Sequence, residues 1–281
     1  MSFASHDSAT RQSQGEAITA EEIASSGAVA DESVARYALI LGDDALILAQ
    51  RLGSWISRAP ELEEDVALAN IALDLLGHAR FLLTYAGTAW NKTEDDLAYF
   101  RDEEDFRSCR LVEQENGDFG HTIVRQLIFS FYQQELYSRL VDSSDPTLAA
   151  IAEKALKEVR YHQDHAAQWT VRLGLGTEES ARRMQAGLDS LWSYVEELFL
   201  DVEPILELTG LTEHADVAVL PSSLRQDTLR RLTEVIEQSG LQVPQISGAH
   251  GADRSGRHSE QRGFILAEMQ VLARRHPGAT W

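Results

Sequence analysis

His78 and His162 raise the chemical question in this sequence, because each sits on an otherwise apolar helical stripe. One stripe reads Leu68, Ile71, Leu75, His78 and Leu82; the other reads Leu148, Ala152, Ala155, Val159, His162, Ala166 and Trp169. Imidazoles on such stripes point inward. Inward imidazoles on two helices are part of what a ferritin-like di-iron centre requires: one Glu from each of two helices, and Glu-x-x-His from each of the other two. A spacing of three puts Glu and His on one helix face, within reach of one ion. Here the position three residues before each His is Leu75 or Val159, so the motif reads Leu-x-x-His and Val-x-x-His and both bridging carboxylates are missing. Asp44 and Glu135, on two further helices, can still face inward. Asp74 and Glu158 precede the histidines by four residues, about 100° away from the i−3 positions around the helix.

The set Asp44, Asp74, His78, Glu135, Glu158 and His162 therefore reads as a vestigial, hydrogen-bonded di-iron-like cluster, with Leu75 and Val159 at the lost ligand positions. No catalytic residue and no bound metal are expected in this chain. The plainer reading of each His alone is a core histidine satisfied by a hydrogen bond. His165 completes a His-x-x-His pair with His162, a weak ligand signal without carboxylate company, and a place on the surface suits it. The competing expectation is an autonomous di-iron oxidase or iron-binding protein, which two irons per chain would establish. No Gly-x-Ser-x-Gly elbow, phosphate-binding glycine loop or dinucleotide fingerprint is present.

Four long helices must position these groups. The first runs over about 33–57, with Val34, Ala38, Leu41, Ala45, Leu48, Leu52 and Trp55 at alternating four-three spacing. Ala59-Pro60 ends it, and Pro60 opens the second, whose first turns hold Glu61, Glu63, Glu64 and Asp65 at the positive end of the helix dipole. This second helix, ending near Gly87, carries a further apolar stripe of Leu62, Val66, Ala69, Leu73 and Leu76 opposite the His78 stripe, and is expected to be central and buried on both sides. A polar connection with a short helix around 95–106 leads to a third helix over about 121–141 and a fourth from Asp145-Pro146 to Gly174. A fifth follows the Thr177 cap as far as Leu198, a sixth starts after Pro221, and a seventh covers about 259–276. The fold class is all-α: a ferritin-like four-helix bundle over about 33–174 with additional C-terminal helices over about 177–276, in one domain from 31 to 281. Residues 1–30, rich in Ser, Ala, Gln and Glu, read as a disordered tail with at most a short helix near Ala20.

Composition narrows the function classes. The formal charge of −20, from 45 acidic and 25 basic residues, repels phosphate backbones and anionic membranes, so nucleic-acid and membrane partners are not expected. A basic protein partner would suit it, although Glu-rich stretches such as 61–65 and 94–105 serve equally as solvated faces. Cys109 is the one cysteine, which excludes an intramolecular disulfide and a cysteine zinc site. The sequence shows no run of about 18 apolar residues and no secretory leader, and a cytoplasmic location is the default.

Several long segments resemble one family. They are LILGDDALILAQRLGSWISRAPELEEDVALANIALDLLGHARFLLTYAG from Leu39, LVEQENGDF from Leu111, KEVRYHQDHAAQWTVRLGLGTEES from Lys157 and LAEMQVLARRHPGATW from Leu266. Together they span about 35–281 and resemble the C-subunit family of phenylacetyl-CoA epoxidases, the ring-1,2-epoxidases of phenylacetate degradation. The resemblance implies a non-catalytic ferritin-like subunit that pairs with and stabilises a sister catalytic subunit holding the di-iron centre. It implies a complex, completed by other epoxidase components and a reductase, that epoxidises the ring of phenylacetyl-CoA with O₂ and electrons from NADPH. No cofactor is then expected in this chain. The sister's Asp-Glu-x-Gly-His type of segment compares with Asp74-Leu75-Leu76-Gly77-His78, in which Leu75 stands where the sister has Glu.

Overall fold

Local signals start and stop the helices much where side chains can satisfy their ends. A computed structural model describes residues 19–210, 216–246, 248 and 254–279. It contains α1 (Ala20–Ser25), α2 (Glu32–Gly53), α3 (Leu62–Thr88), α4 (Glu94–Tyr99), α5 (Arg110–Glu113), α6 (Phe119–Leu140), α7 (Pro146–Gly174), α8 (Glu178–Leu191), α9 (Glu203–Gly210), α10 (Pro221–Gln238) and α11 (Gln261–Arg275), with no strand among the described residues. Asp118 caps α6 by accepting from the His121 N–H, and Asp145 caps α7 by accepting from Thr147 and Leu148. Thr93 with Asp96 and Thr177 with Ser180 close reciprocal boxes at the starts of α4 and α8. Helix α2 stops four residues short of Ser57, and residues 54–61 form the turn into α3. The carboxylate of Asp65 accepts the Arg58 and Ala59 N–H groups of that turn, so a first-turn acid holds the loop as well as facing the helix dipole. Helix α8 likewise ends at Leu191, and Trp192–Tyr194 and Glu196–Phe199 continue as tighter 3₁₀ turns. A Cβ at Gly87 would lie 2.1 Å from the Lys92 carbonyl oxygen, which makes glycine necessary where the chain leaves α3.

The bundle is two antiparallel hairpins, α2 with α3 and α6 with α7, joined across the seam between α3 and α7. Accessory helices pack on it. Helix α8 lies on α6 and α7, α9 on α2, α10 on α6 and α7, and α11 on α2, α4 and α5. Buried ion pairs fasten the C-terminal segment: Arg254 to Asp44, and Arg262 to Glu113, whose carboxylate also binds His258 and Ser259. Arg101 clamps Asp43 in the same layer.

Three expectations are corrected. Residues 19–30 are not tail: α1 packs on α3, with Ala20, Ile23 and Ala30 buried and the Ala30 N–H donated to Thr88. Residues 1–18 lie outside the described residues. Helix α3 is not buried on both sides. The Leu68, Ile71, Leu75, His78 and Leu82 stripe has no solvent exposure, whereas Leu62, Val66, Leu73 and Leu76 are 77, 53, 64 and 38 % exposed. Partner helices reach one side of α3 and nothing described covers the other. By length and composition α3 could cross a bilayer, contrary to the expectation from its interrupted apolar run. Its inner face is committed to the bundle, and it carries Asp74 and His78.

Candidate functional site

The inward face of α3 meets α7 at three hydrogen-bonded His–carboxylate pairs. His78 Nε2 lies 2.7 Å from Glu158 Oε2, and His162 Nε2 lies 3.0 Å from Asp74 Oδ2. The exchange is reciprocal: the carboxylate four residues before each His serves the imidazole of the opposite helix. Antiparallel packing requires this, since moving toward the C-terminus of α3 moves toward the N-terminus of α7. Carboxylates about 100° from the i−3 positions are aimed along the seam and not at the bundle axis. A third pair continues the ladder one end further on, with His165 Nε2 2.8 Å from Glu64 Oε2. His165 is therefore not a surface residue, its side chain being only 8 % exposed. The spacing between carboxylate and histidine within one helix does not reveal these pairs. The matching register of an antiparallel helix pair would have.

Both central imidazoles are buried, and their ring centroids lie 6.3 Å apart. His78 also meets Tyr137 edge-on at 5.8 Å. In the tautomer these partners select, Nε2–H donates to the carboxylate. His78 Nδ1 is then buried without a hydrogen-bond partner among the described residues. Burial pulls the His162 imidazole below its ordinary pKa, and the Asp74 hydrogen bond opposes that pull without cancelling it. Asp74 and Glu158 are about one-third exposed, so the ladder has a dry imidazole side and a wetter carboxylate side.

Leu75 and Val159, at the lost ligand positions, are fully buried and fill the space beside the two histidines with hydrocarbon. The other two acids of the anticipated cluster stand apart from it. Asp44 takes a two-pronged grip from Arg254, with both N–O distances 2.9 Å, and a third bond from the Cys109 N–H. Glu135 is held by Arg231 at 2.7 Å, and the same guanidinium donates to Gln163. The structure thus joins Asp74, His78, Glu158 and His162, and it hands Asp44 and Glu135 to arginines supplied by the C-terminal third. Sequence reasoning had no access to Arg231 and Arg254, which reach these acids from 96 and 210 residues away. Among the described residues, no group of three His, Cys, Asp or Glu side chains is arranged to hold a metal ion. Each imidazole in the ladder makes its bond to a carboxylate, and each remaining core acid is matched by a guanidinium. Such an arrangement ties helices together.

These features define a ferritin-like helical bundle whose core acids are each paired with an imidazole or a guanidinium. The chain belongs to the phenylacetic acid catabolic protein family, whose model matches residues 8–281. The match begins well before residue 35, where the resemblance in the sequence starts, and it takes in the α1 segment. Over 246 residues the chain is 45 % identical to the C subunit of the 1,2-phenylacetyl-CoA epoxidase of Escherichia coli (strain K12), covering 87 % of this chain and 98 % of that protein.

Proposed function

We propose that this chain is the structural, non-catalytic subunit of a multicomponent oxygenase that epoxidises phenylacetyl-CoA in aerobic phenylacetate degradation. In this reading it pairs with and stabilises a ferritin-like catalytic subunit that holds the di-iron centre, and a reductase and other components complete the cytoplasmic complex. The observation that carries the proposal is the pair Leu75 and Val159. Both are fully buried, at the two positions from which bridging glutamates would reach a metal beside His78 and His162. The usual di-iron site of such a bundle draws four glutamates and two histidines from its four helices. Of the core acids here, Asp44 and Glu135 are neutralised by Arg254 and Arg231, and Asp74 and Glu158 are engaged by the histidines. Likeness to the C subunit of an epoxidase supplies the substrate and the pathway.

The test is metal analysis and reconstitution. The purified chain is expected to hold far less than two irons after incubation with ferrous iron under argon. With a reductase alone it is expected to give no turnover of phenylacetyl-CoA, and turnover is expected to return when the catalytic subunit is added. Two tightly held irons per chain, or epoxide formed without the second subunit, would overturn the proposal.

A further inference from the structure

Residues 254–259, just before α11, lie against the bundle at fixed points. Arg254 and Gly256 take the left-handed backbone region, at φ 52° and 89°. A Cβ at Gly256 would lie 2.3 Å from the Glu104 carbonyl oxygen, so only glycine lets the segment come this close. His258 then turns inward, and its side chain is 1 % exposed.

Both ring nitrogens of His258 face acceptors. Nδ1 lies 2.7 Å from Glu113 Oε1, and Nε2 lies 3.2 Å from the Phe106 carbonyl oxygen. A carbonyl oxygen has no proton to give. The Glu113 carboxylate has none either, since it also accepts from Arg262, from Ser108 and from the N–H and hydroxyl of Ser259. Burial pushes its pKa up, but His258, Arg262 and Ser259 together hold it below the ordinary carboxylate value. A neutral imidazole carries one N–H and one lone pair. It would satisfy one of these acceptors and set its lone pair against the other. Only the imidazolium donates to both.

The neighbouring charges divide. Arg262 stands 3.5 Å from Nδ1, and Arg107 donates to the same Phe106 oxygen, so both guanidiniums oppose a positive ring. Glu113 favours it from the shorter distance, with a fully buried carboxylate, where charges interact more strongly than in water. The other charges of this layer are matched elsewhere, Asp43 with Arg101 and Asp44 with Arg254. Arg51 is engaged by the Glu113 carbonyl and by Gln261.

We infer that His258 is a doubly protonated clasp that fastens the 254–259 segment to Phe106 and Glu113, and that loss of one of its protons releases the segment. The release has a consequence for the core, because the same segment carries the guanidinium that answers Asp44. Its sign follows from linkage. In an opened segment the imidazole is in water and titrates near the ordinary value of about 6.5. Closure that requires the second proton is complete below that pH and weakens ~tenfold for each pH unit above it.

Two measurements on the full-length chain test the clasp. With nitrogen-labelled histidine, the His258 ring is expected to show two N–H cross-peaks near pH 7, assigned through the adjoining Ser259 amide; a neutral ring shows one. Hydrogen exchange of the 254–262 peptide, corrected for the intrinsic rate, is expected to lose ~100-fold in protection between about pH 6.5 and 8.5. A peptide from α6 is the control and is expected to hold its protection. His258→Gln is expected to give weak protection of 254–262 that does not vary with pH. A single ring N–H, protection of 254–262 that is flat with pH, or a variant that keeps the steep dependence would each overturn the inference. So would an equal loss in the α6 peptide, which would mean unfolding of the whole bundle and not release of one segment. If His258→Gln does not fold, the two measurements on the unchanged chain still decide.

Discussion

Replacing Arg254 by alanine tests whether the C-terminal segment, and not the histidine ladder, is what makes the core acids tolerable. Asp44 is 2 % exposed. Its carboxylate receives two guanidinium bonds of 2.9 Å and one N–H bond of 2.7 Å from Cys109. Burial by itself would lower the Arg254 pKa, yet Asp44 beside it holds the guanidinium well above its ordinary value, so the guanidinium stays charged. The Arg254→Ala variant keeps the Cys109 bond and loses the counter-charge. Breaking a buried pair in this way costs about 3–5 kcal/mol, which for a chain of this size lowers the melting temperature by roughly 5–8 °C. The contrast is His78→Ala. Glu158, left behind, is 28 % exposed and rehydrates. His78 Nδ1 had no partner to lose, so the cost is a cavity and one hydrogen bond, about 1–3 kcal/mol. Urea unfolding followed by circular dichroism ranks the two. The double variant Asp44→Asn with Arg254→Met, which removes both charges and keeps an acceptor for Cys109, is expected to be more stable than Arg254→Ala alone. A loss below about 1 kcal/mol for Arg254→Ala, or a double variant no better than the single one, would refute the account of Asp44 as a buried charge that depends on that arginine.

Three further outcomes follow from the same geometry. His162 has a pKa below its ordinary value of about 6.5, so the unfolded chain takes up a proton at higher pH than the folded one; stability from this residue is complete above that value and falls as the pH drops toward the folded pKa. His162→Gln is therefore expected to reduce the slope of unfolding free energy against pH between about 6.5 and 5, as read from denaturant midpoints, and an unchanged slope would contradict it. Leu75→Glu with Val159→Glu places two carboxylates at fully buried positions and is expected to destabilise the chain by several kcal/mol in the absence of metal; a double variant as stable as the parent that takes up two irons would mean a site merely dormant. Ile23→Ala, at a position of α1 that is 1 % exposed, is expected to cost about 2–4 kcal/mol, and a change within error in thermal unfolding would show that the α1 segment contributes nothing to the fold.

Helix positions were legible because they rest on local rules. Asp145-Pro146, Thr177 and the acids after Pro60 act within one or two turns of themselves, and the structure starts α7 and α8 beside those very residues and α3 two residues on. The ends were less legible. Helix α2 stops at Gly53 and α8 at Leu191, where tertiary packing of the following turn outweighs a continuing apolar pattern. The His78 and His162 stripes were legible as inward for the same periodic reason. Periodicity could not tell whether the second row of α3 met protein or solvent, because it describes a helix and not its neighbours. His165 was misplaced for a related reason: a histidine within one helix carries no signal of the acid it meets on another helix.

By itself, then, the sequence determined the all-helical bundle, the two buried histidines and the absence of glutamate at positions 75 and 159, all of which follow from residue type and helical period. Only the tertiary structure decided which charge answers which. Asp44 and Arg254, Glu135 and Arg231, and the crossed pairs of the α3–α7 seam are brought together from 80 to 210 residues apart. The physical reason is that an ion pair depends on distances of about 3 Å between atoms, and the chain sets such distances only once α3, α7 and the C-terminal segments have packed.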